Sequence, residues 1–204
     1  MKNTILVVRP HQIMTKQVLL LTFLVSVLLG SQGCERKLPF QEADKALLLR
    51  AQELRDYGYE FNSTEKFESF TRTKAIDGSY EIEYEFQTPE GERENPLFLY
   101  VLVVVGKQKV DAQISQGAEK LVLLYGLKAE GITEEEIPNF YRYGDSSSFY
   151  LLKKEGNPVG NYFTVREGAK TYSIIISGFY FDDPEVWKEI MEPKLKHFSV
   201  YKPT

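Results

Sequence analysis

Four groups of side chains in this 204-residue chain have the types and spacing for chemistry. Carboxylates cluster at Glu81, Glu83 and Glu85, at Glu134–Glu136, and at Asp182-Asp183. Two acids facing each other across a cleft could hydrolyse a glycosidic bond. Alternate glutamates, however, project from one face of a strand and read as solvated surface, and Glu134–Glu136 stand where a helix or turn is expected to begin. Ser146–Ser148 is the densest hydroxyl run, but a nucleophilic serine needs a base beside it, and His197 is the one histidine after the first 34 residues. With no Gly-x-Ser-x-Gly or Ser-x-x-Lys pattern, the run reads as a loop, and His197 as a cation suited to the negative end of a helix. Tyr141-Arg142-Tyr143, close to Phe140, Phe149 and Tyr150, combines the ring and guanidinium side chains that dominate binding hot spots. These three residues are a candidate binding surface; strands with core-facing rings are the alternative. The fourth group is the single cysteine, Cys34, which excludes an internal disulfide and every multi-cysteine zinc or iron–sulfur framework. No calcium-loop spacing is present. No catalytic residue, cofactor or metal is expected.

The surroundings of Cys34 give it meaning. Residues 1–34 carry Lys2, Arg9 and Lys16 and no acid; the whole chain has 25 basic and 29 acidic side chains, so the remainder has 22 against 29, or −7. That acidity argues against nucleic-acid binding. The apolar run Val18–Leu29 would reach only ~18 Å as a helix, short of the ~30 Å hydrocarbon core. Basic flank, short apolar centre and small residues at the end are the parts of a secretory signal. The junction Ser31-Gln32-Gly33-Cys34 resembles the lipobox of bacterial lipoproteins, with Ser31 where the family usually has Leu. The resemblance implies that the Cys34 thiol takes a diacylglyceryl group and that Cys34 becomes the N-terminus after cleavage. Met14, just before the apolar run, is an alternative start. The expected division is a signal at 1–33, a lipidated tether at 34–41 and one domain at 42–204, outside the cytoplasm in a bacterial cell envelope. Asn62-Ser-Thr64 fits a glycosylation acceptor that such a protein would not normally use.

The elements that position these groups follow from periodicity. Ala43, Ala46, Leu47, Leu49, Ala51 and Leu54 predict a helix over 42–57 with Gly58 as its stop. Tyr80–Phe86 alternates strictly and reads as a half-buried strand with a wet acidic face, paired through Asp77-Gly78 with Phe67–Thr73. Thr88-Pro-Glu-Gly91 is a turn. Leu97–Val105 is continuously apolar and predicts a central strand covered on both faces. Val110, Ile114, Leu121, Leu124 and Tyr125 predict a helix over 111–127 that packs on it. Phe149–Leu152, Tyr162–Arg166 and Thr171–Ser177 read as strands separated by hairpin turns. Asp183-Pro184-Glu185 starts a last helix with the stripe Val186, Trp187, Ile190, Met191, Leu195 and Phe198, which Pro193 should kink or end.

This order is α+β, an antiparallel sheet covered by helices. The stretch Tyr162–Phe179, followed by Asp183-Pro-Glu-Val-Trp187 and Lys196-His-Phe-Ser199, resembles the close of PsbP-like domains, and Tyr80–Gly91 is similar to their opening hairpin. The resemblance implies an α/β/α sandwich and, as in small envelope lipoproteins of that family, no enzymatic activity. The expectation is a non-catalytic lipoprotein, held to the membrane by its lipid anchor, whose domain binds an envelope protein or supports an assembly. A small-molecule or cell-wall-ligand binder is the alternative, and an acid-dependent hydrolase ranks third.

Overall fold

Alternation of apolar residues sets the sheet, and the computed structural model describes it through residues 36–57, 67–88 and 97–204. The elements are β1 (Arg36–Lys37), α1 (Glu42–Leu47), α2 (Ala51–Leu54) running into a 3-10 turn at Arg55–Tyr57, β2 (Glu68–Lys74), β3 (Tyr80–Gln87), β4 (Phe98–Val105), α3 (Lys109–Ala129), β5 (Ile132–Glu136), β6 (Ser146–Lys154), β7 (Asn157–Glu167), β8 (Lys170–Ser177) and α4 (Pro184–Val200). Residues 1–35 (with Cys34 and Met14), Gly58, Asn62–Thr64 and positions 89–91 of the expected turn lie outside the described residues.

The eight strands form one sheet in the order β1-β2-β3-β4-β8-β7-β6-β5, antiparallel at every pairing. The chain is therefore α+β, as its periodicity predicts. Two meanders meet at the centre, where β4 pairs with β8, and α3 carries the chain from the middle of the sheet to its far edge. β4 is buried from Phe98 through Val104 because both of its faces are covered.

On one face Ile82, Tyr84, Phe86, Leu99, Val101, Val103, Phe163, Val165, Tyr172, Ile174 and Ile176 form the main core with α1, α2 and α4. Trp187 of α4 is fully buried there, edge-on to Phe149 and Phe163 at 5.2 and 5.4 Å between centroids. On the other face α3 lies against β4, β5, β7 and β8, with Leu123 and Leu127 packed on Ile132, Tyr150, Leu152 and Tyr162.

Several elements depart from their sequence reading for identifiable reasons. The helix expected over 42–57 is broken, because Leu47, Leu48 and Leu49 are all buried and three consecutive side chains cannot share one helix face. The backbone extends at Leu48 and Arg50, and α2 restarts with Ala51 N–H donating to the Tyr84 hydroxyl at 2.8 Å. Helix α4 runs on through Pro193 to Val200, since Leu195 and Phe198 beyond the proline are fully buried and hold the second half to the core. Ser146–Ser148 begin β6 opposite Thr164–Arg166, and Glu134–Glu136 belong to edge strand β5. Glu81, Glu83 and Glu85 are half-buried, because β3 is an interior strand and Tyr100 of β4 reaches across to donate to Glu83 at 3.2 Å. In the segment expected to tether the domain, Arg36 and Lys37 pair with Lys74 and Thr73, and Leu38 N–H donates to Arg72 C=O.

Candidate functional site

Tyr141, Arg142 and Tyr143 lie in the segment between β5 and β6, and the structure turns them in different directions. Both tyrosines are half-buried against the main core: Tyr141 lies 6.0 Å from the Phe163 ring, and Tyr143 shares a hydroxyl hydrogen bond of 2.7 Å with Ser199 of α4. Ser147 pins the segment, accepting from Tyr143 N–H and donating to Tyr141 C=O. Phe140 stacks on Phe149. Arg142 is exposed and turned onto Asn139, so no cation is presented over the rings. A shallow depression of about 440 Å³ follows this segment and includes all three residues. Burial and the glutamate of α4 nearby push the Tyr141 hydroxyl up to about 12, so it is neutral and a hydrogen-bond donor at physiological pH.

A second constellation, absent from the sequence reading, sits between α3 and the sheet. Glu119 is buried and accepts hydrogen bonds from Ser173 at 2.5 Å and Ser115 at 3.0 Å. Ser173 in turn shares a hydrogen bond with Thr164, to which Gln116 donates at 3.2 Å. Burial raises the Glu119 carboxyl to about 7 even though the hydroxyl donors act to lower it. Burial also raises the hydroxyls of Tyr100 and Tyr162, with the Glu119 charge adding to it. An acid tuned near neutrality is the kind of group that transfers protons. Here it is enclosed by helix and sheet at 5% exposure, which suits a polar anchor for α3.

The third feature is the outer face of α3. The apolar stripe expected to pack on the sheet points away from it: Val110, Ile114, Leu121 and Tyr125 are between 48% and 75% exposed, while Ala112, Glu119, Leu123 and Leu127 face inward. The side chain of Leu124 is not among those described. From Val110 to Tyr125 the stripe is ~22 Å long. A contiguous apolar strip on a charged surface marks an interaction face. Tyr150 explains part of the inversion, since Lys120 donates to its hydroxyl at 2.5 Å and holds its ammonium over the ring.

Sequence reasoning missed Glu119 because Ala118-Glu119-Lys120 looks like a solvated helix turn. The available signal was its pairing with Ser115 one turn earlier, together with the hydroxyls of Thr164, Thr171 and Ser173 set among Tyr162, Phe163, Val165, Tyr172 and Ile174. Among the described residues no group of three His, Cys, Asp or Glu is placed to hold a metal, and no helix is long and apolar enough to cross a membrane. No protein-family model, curated protein or solved structure matches the chain significantly.

Proposed function

We propose that the chain is a non-catalytic lipoprotein of the bacterial cell envelope, anchored through a lipidated Cys34, whose PsbP-like α/β/α domain binds another envelope protein. The observation that carries this reading is the position of the only cysteine in 204 residues, at the end of a basic and then apolar leader. Two or more acyl chains on that thiol, at ~0.8 kcal/mol per buried methylene, give stable membrane attachment. The PsbP-like assignment draws its support from the closing elements: β7 and β8, a bend at Gly178-Phe179 directly after Ser177, and α4. Asn161 fixes that bend by exchanging two hydrogen bonds with the Phe181 backbone. The outward stripe of α3 supports the protein-binding part, because it offers an apolar helix face to a groove or helix on a partner.

Replacing Cys34 with Ala should abolish metabolic palmitate labelling and release the protein from membranes, and unchanged labelling would sink the anchor. Photocrosslinking from Leu121 in native membranes tests the rest. A protein adduct supports the partner. Specific retention of a cell-wall fragment at the depression beside Tyr141–Tyr143, with no adduct at Leu121, favours the ligand-binding alternative.

A further inference from the structure

We infer that one end of the sheet, the end where β1 starts, is a docking face for an anionic phospholipid surface. The inference rests on the reading of Cys34 as the lipid-bearing residue, and adds which way the domain faces. Strand register defines the end: Arg36, Lys74, Tyr80, Val105 and Lys170 are successive partners in one row across β1, β2, β3, β4 and β8. Cys34 precedes Arg36 by two residues, and two residues of chain reach ~7 Å at most. A lipid on that thiol brings this end of the domain to the bilayer, with no linker long enough to let it swing away.

The chemistry of the end suits that position. Arg36, Lys37, Lys74, Lys107, Lys109 and Lys202 are exposed there, in a chain that is −7 beyond its first 34 residues. The acids at the same end are largely engaged internally. Asp77 accepts from the Ser79 amide and hydroxyl, Asp111 caps α3 by accepting from the amides of Lys107 and Gln108, Glu167 accepts from Ser199, and Asp145 accepts from the Gly168 amide and stands 3.9 Å from the Lys109 ammonium. Three apolar side chains protrude among the cations: Ile76 in the β2–β3 turn is 72% exposed, Val200 at the end of α4 is 74% exposed, and Val110 opens α3. Lys170 donates to the Phe198 and Ser199 carbonyls, which ties the end of α4 into the same face. The opposite end is mixed in charge, with Glu68 at the start of β2 and Asp182, Asp183 and Glu185 at the start of α4 beside Lys128, Lys153 and Lys154. Cations near an anionic leaflet each strengthen binding roughly fivefold, and protruding aliphatics enter the headgroup region.

The test uses the full chain reconstituted in vesicles of phosphatidylcholine with about a third phosphatidylglycerol, chosen to give an anionic surface. An environment-sensitive thiol probe is placed at Ile76→Cys or, at the opposite end, at Asn157→Cys, each with Cys34 intact and with Cys34→Ser. Quenching by bromine-labelled lipid should be several-fold stronger at position 76 than at 157. It should fall to the level of 157 in Lys74→Glu/Lys107→Glu/Lys109→Glu and in vesicles of phosphatidylcholine alone. Lys128→Glu, at the far end of α3, should leave it unchanged. Equal quenching at both positions, or quenching at 76 that ignores the three reversals, overturns the docking face. Protection of position 76 by a crosslinked envelope protein in place of lipid overturns it too. Mass spectrometry of Cys34 separates the two readings. A modified Cys34 with an unquenched position 76 keeps the anchor and removes the face. An unmodified Cys34, with anionic-lipid quenching retained in Cys34→Ser, keeps the face and removes the anchor.

Discussion

Glu119 shows how much a single buried acid can do to a helix–sheet interface. Its carboxyl sits at about 7 in the folded chain against 4.5 ordinarily, so the native state holds the proton more tightly than the unfolded chain does. Stability from this group is therefore fully present below about pH 4.5, declines as pH rises through that interval, and levels off above about 7. A shift of this size corresponds to about 3 kcal/mol. Glu119→Gln keeps an acceptor for Ser173 and removes the titration. Its urea midpoint should match that of the native chain at pH 5 and exceed it at pH 8; an equal offset at both pH values would show that Glu119 does not titrate here. At the same scale, Arg142→Ala removes only an exposed contact with Asn139 and should change stability by less than about 0.5 kcal/mol in thermal melts. Tyr141 and Tyr143 were visible in the sequence as a cluster, but which atoms face the core depends on Ser147 and Ser199, far apart in the chain.

At the scale of elements, the interior strands and the buried stripe of α4 were legible, while edge strands β1 and β5 and the inward face of α3 were not. Period-two alternation in Tyr80–Phe86 and the unbroken apolar run Leu97–Val105 each admit one placement in a sheet, and β3 and β4 take those placements. Helix α3 has apolar residues on two sides, Val110, Ile114, Leu121 and Tyr125 outward and Ala112, Leu123 and Leu127 inward, so periodicity found the helix and picked the wrong face. The inward set wins because Glu119 and Gln116 reach the Ser173 and Thr164 hydroxyls that the sheet supplies. Opposite substitutions follow. Leu123→Ala should cost about 2–5 kcal/mol by chemical denaturation. Ile114→Lys, on the same exposed stripe, should leave stability within about 0.5 kcal/mol yet abolish the crosslink expected from position 121. The β7–β8 pair depends on Gly160, where an added Cβ would stand 2.1 Å from the Ile176 carbonyl oxygen. Gly160→Ala must push two central strands apart, and a Tm fall of several degrees is the expected result.

At the scale of the molecule, the two ends of the described chain meet through a buried charge pair that no local pattern announces. Asp44 of α1 and Arg72 of β2 are both buried, with Arg72 Nε 3.5 Å from Asp44 Oδ2. Tyr201, just past α4, donates to Asp44 at 2.5 Å, while Arg72 donates to the backbone oxygens of Thr204 at 2.8 Å and Pro39 at 3.3 Å. Two stretches distant in sequence, 39–44 and 201–204, thus converge on one guanidinium. Their separations, 132 residues between Arg72 and Thr204 and 157 between Asp44 and Tyr201, explain why sequence periodicity gives no sign of the cluster. Withdrawing charges from water is expensive, so removing one partner exposes the full cost of the other. Asp44→Ala leaves Arg72 buried and uncompensated and should lower stability by about 3–5 kcal/mol. The triple replacement Asp44→Leu/Arg72→Met/Tyr201→Phe removes the charges together and should be less destabilising than Asp44→Ala alone. Denaturation midpoints of the single, double and triple variants measure the coupling. If the triple variant loses as much as the sum of its parts, the three groups act independently despite their burial, and the junction of the two chain ends must be held by Leu47, Leu195 and Phe198 instead.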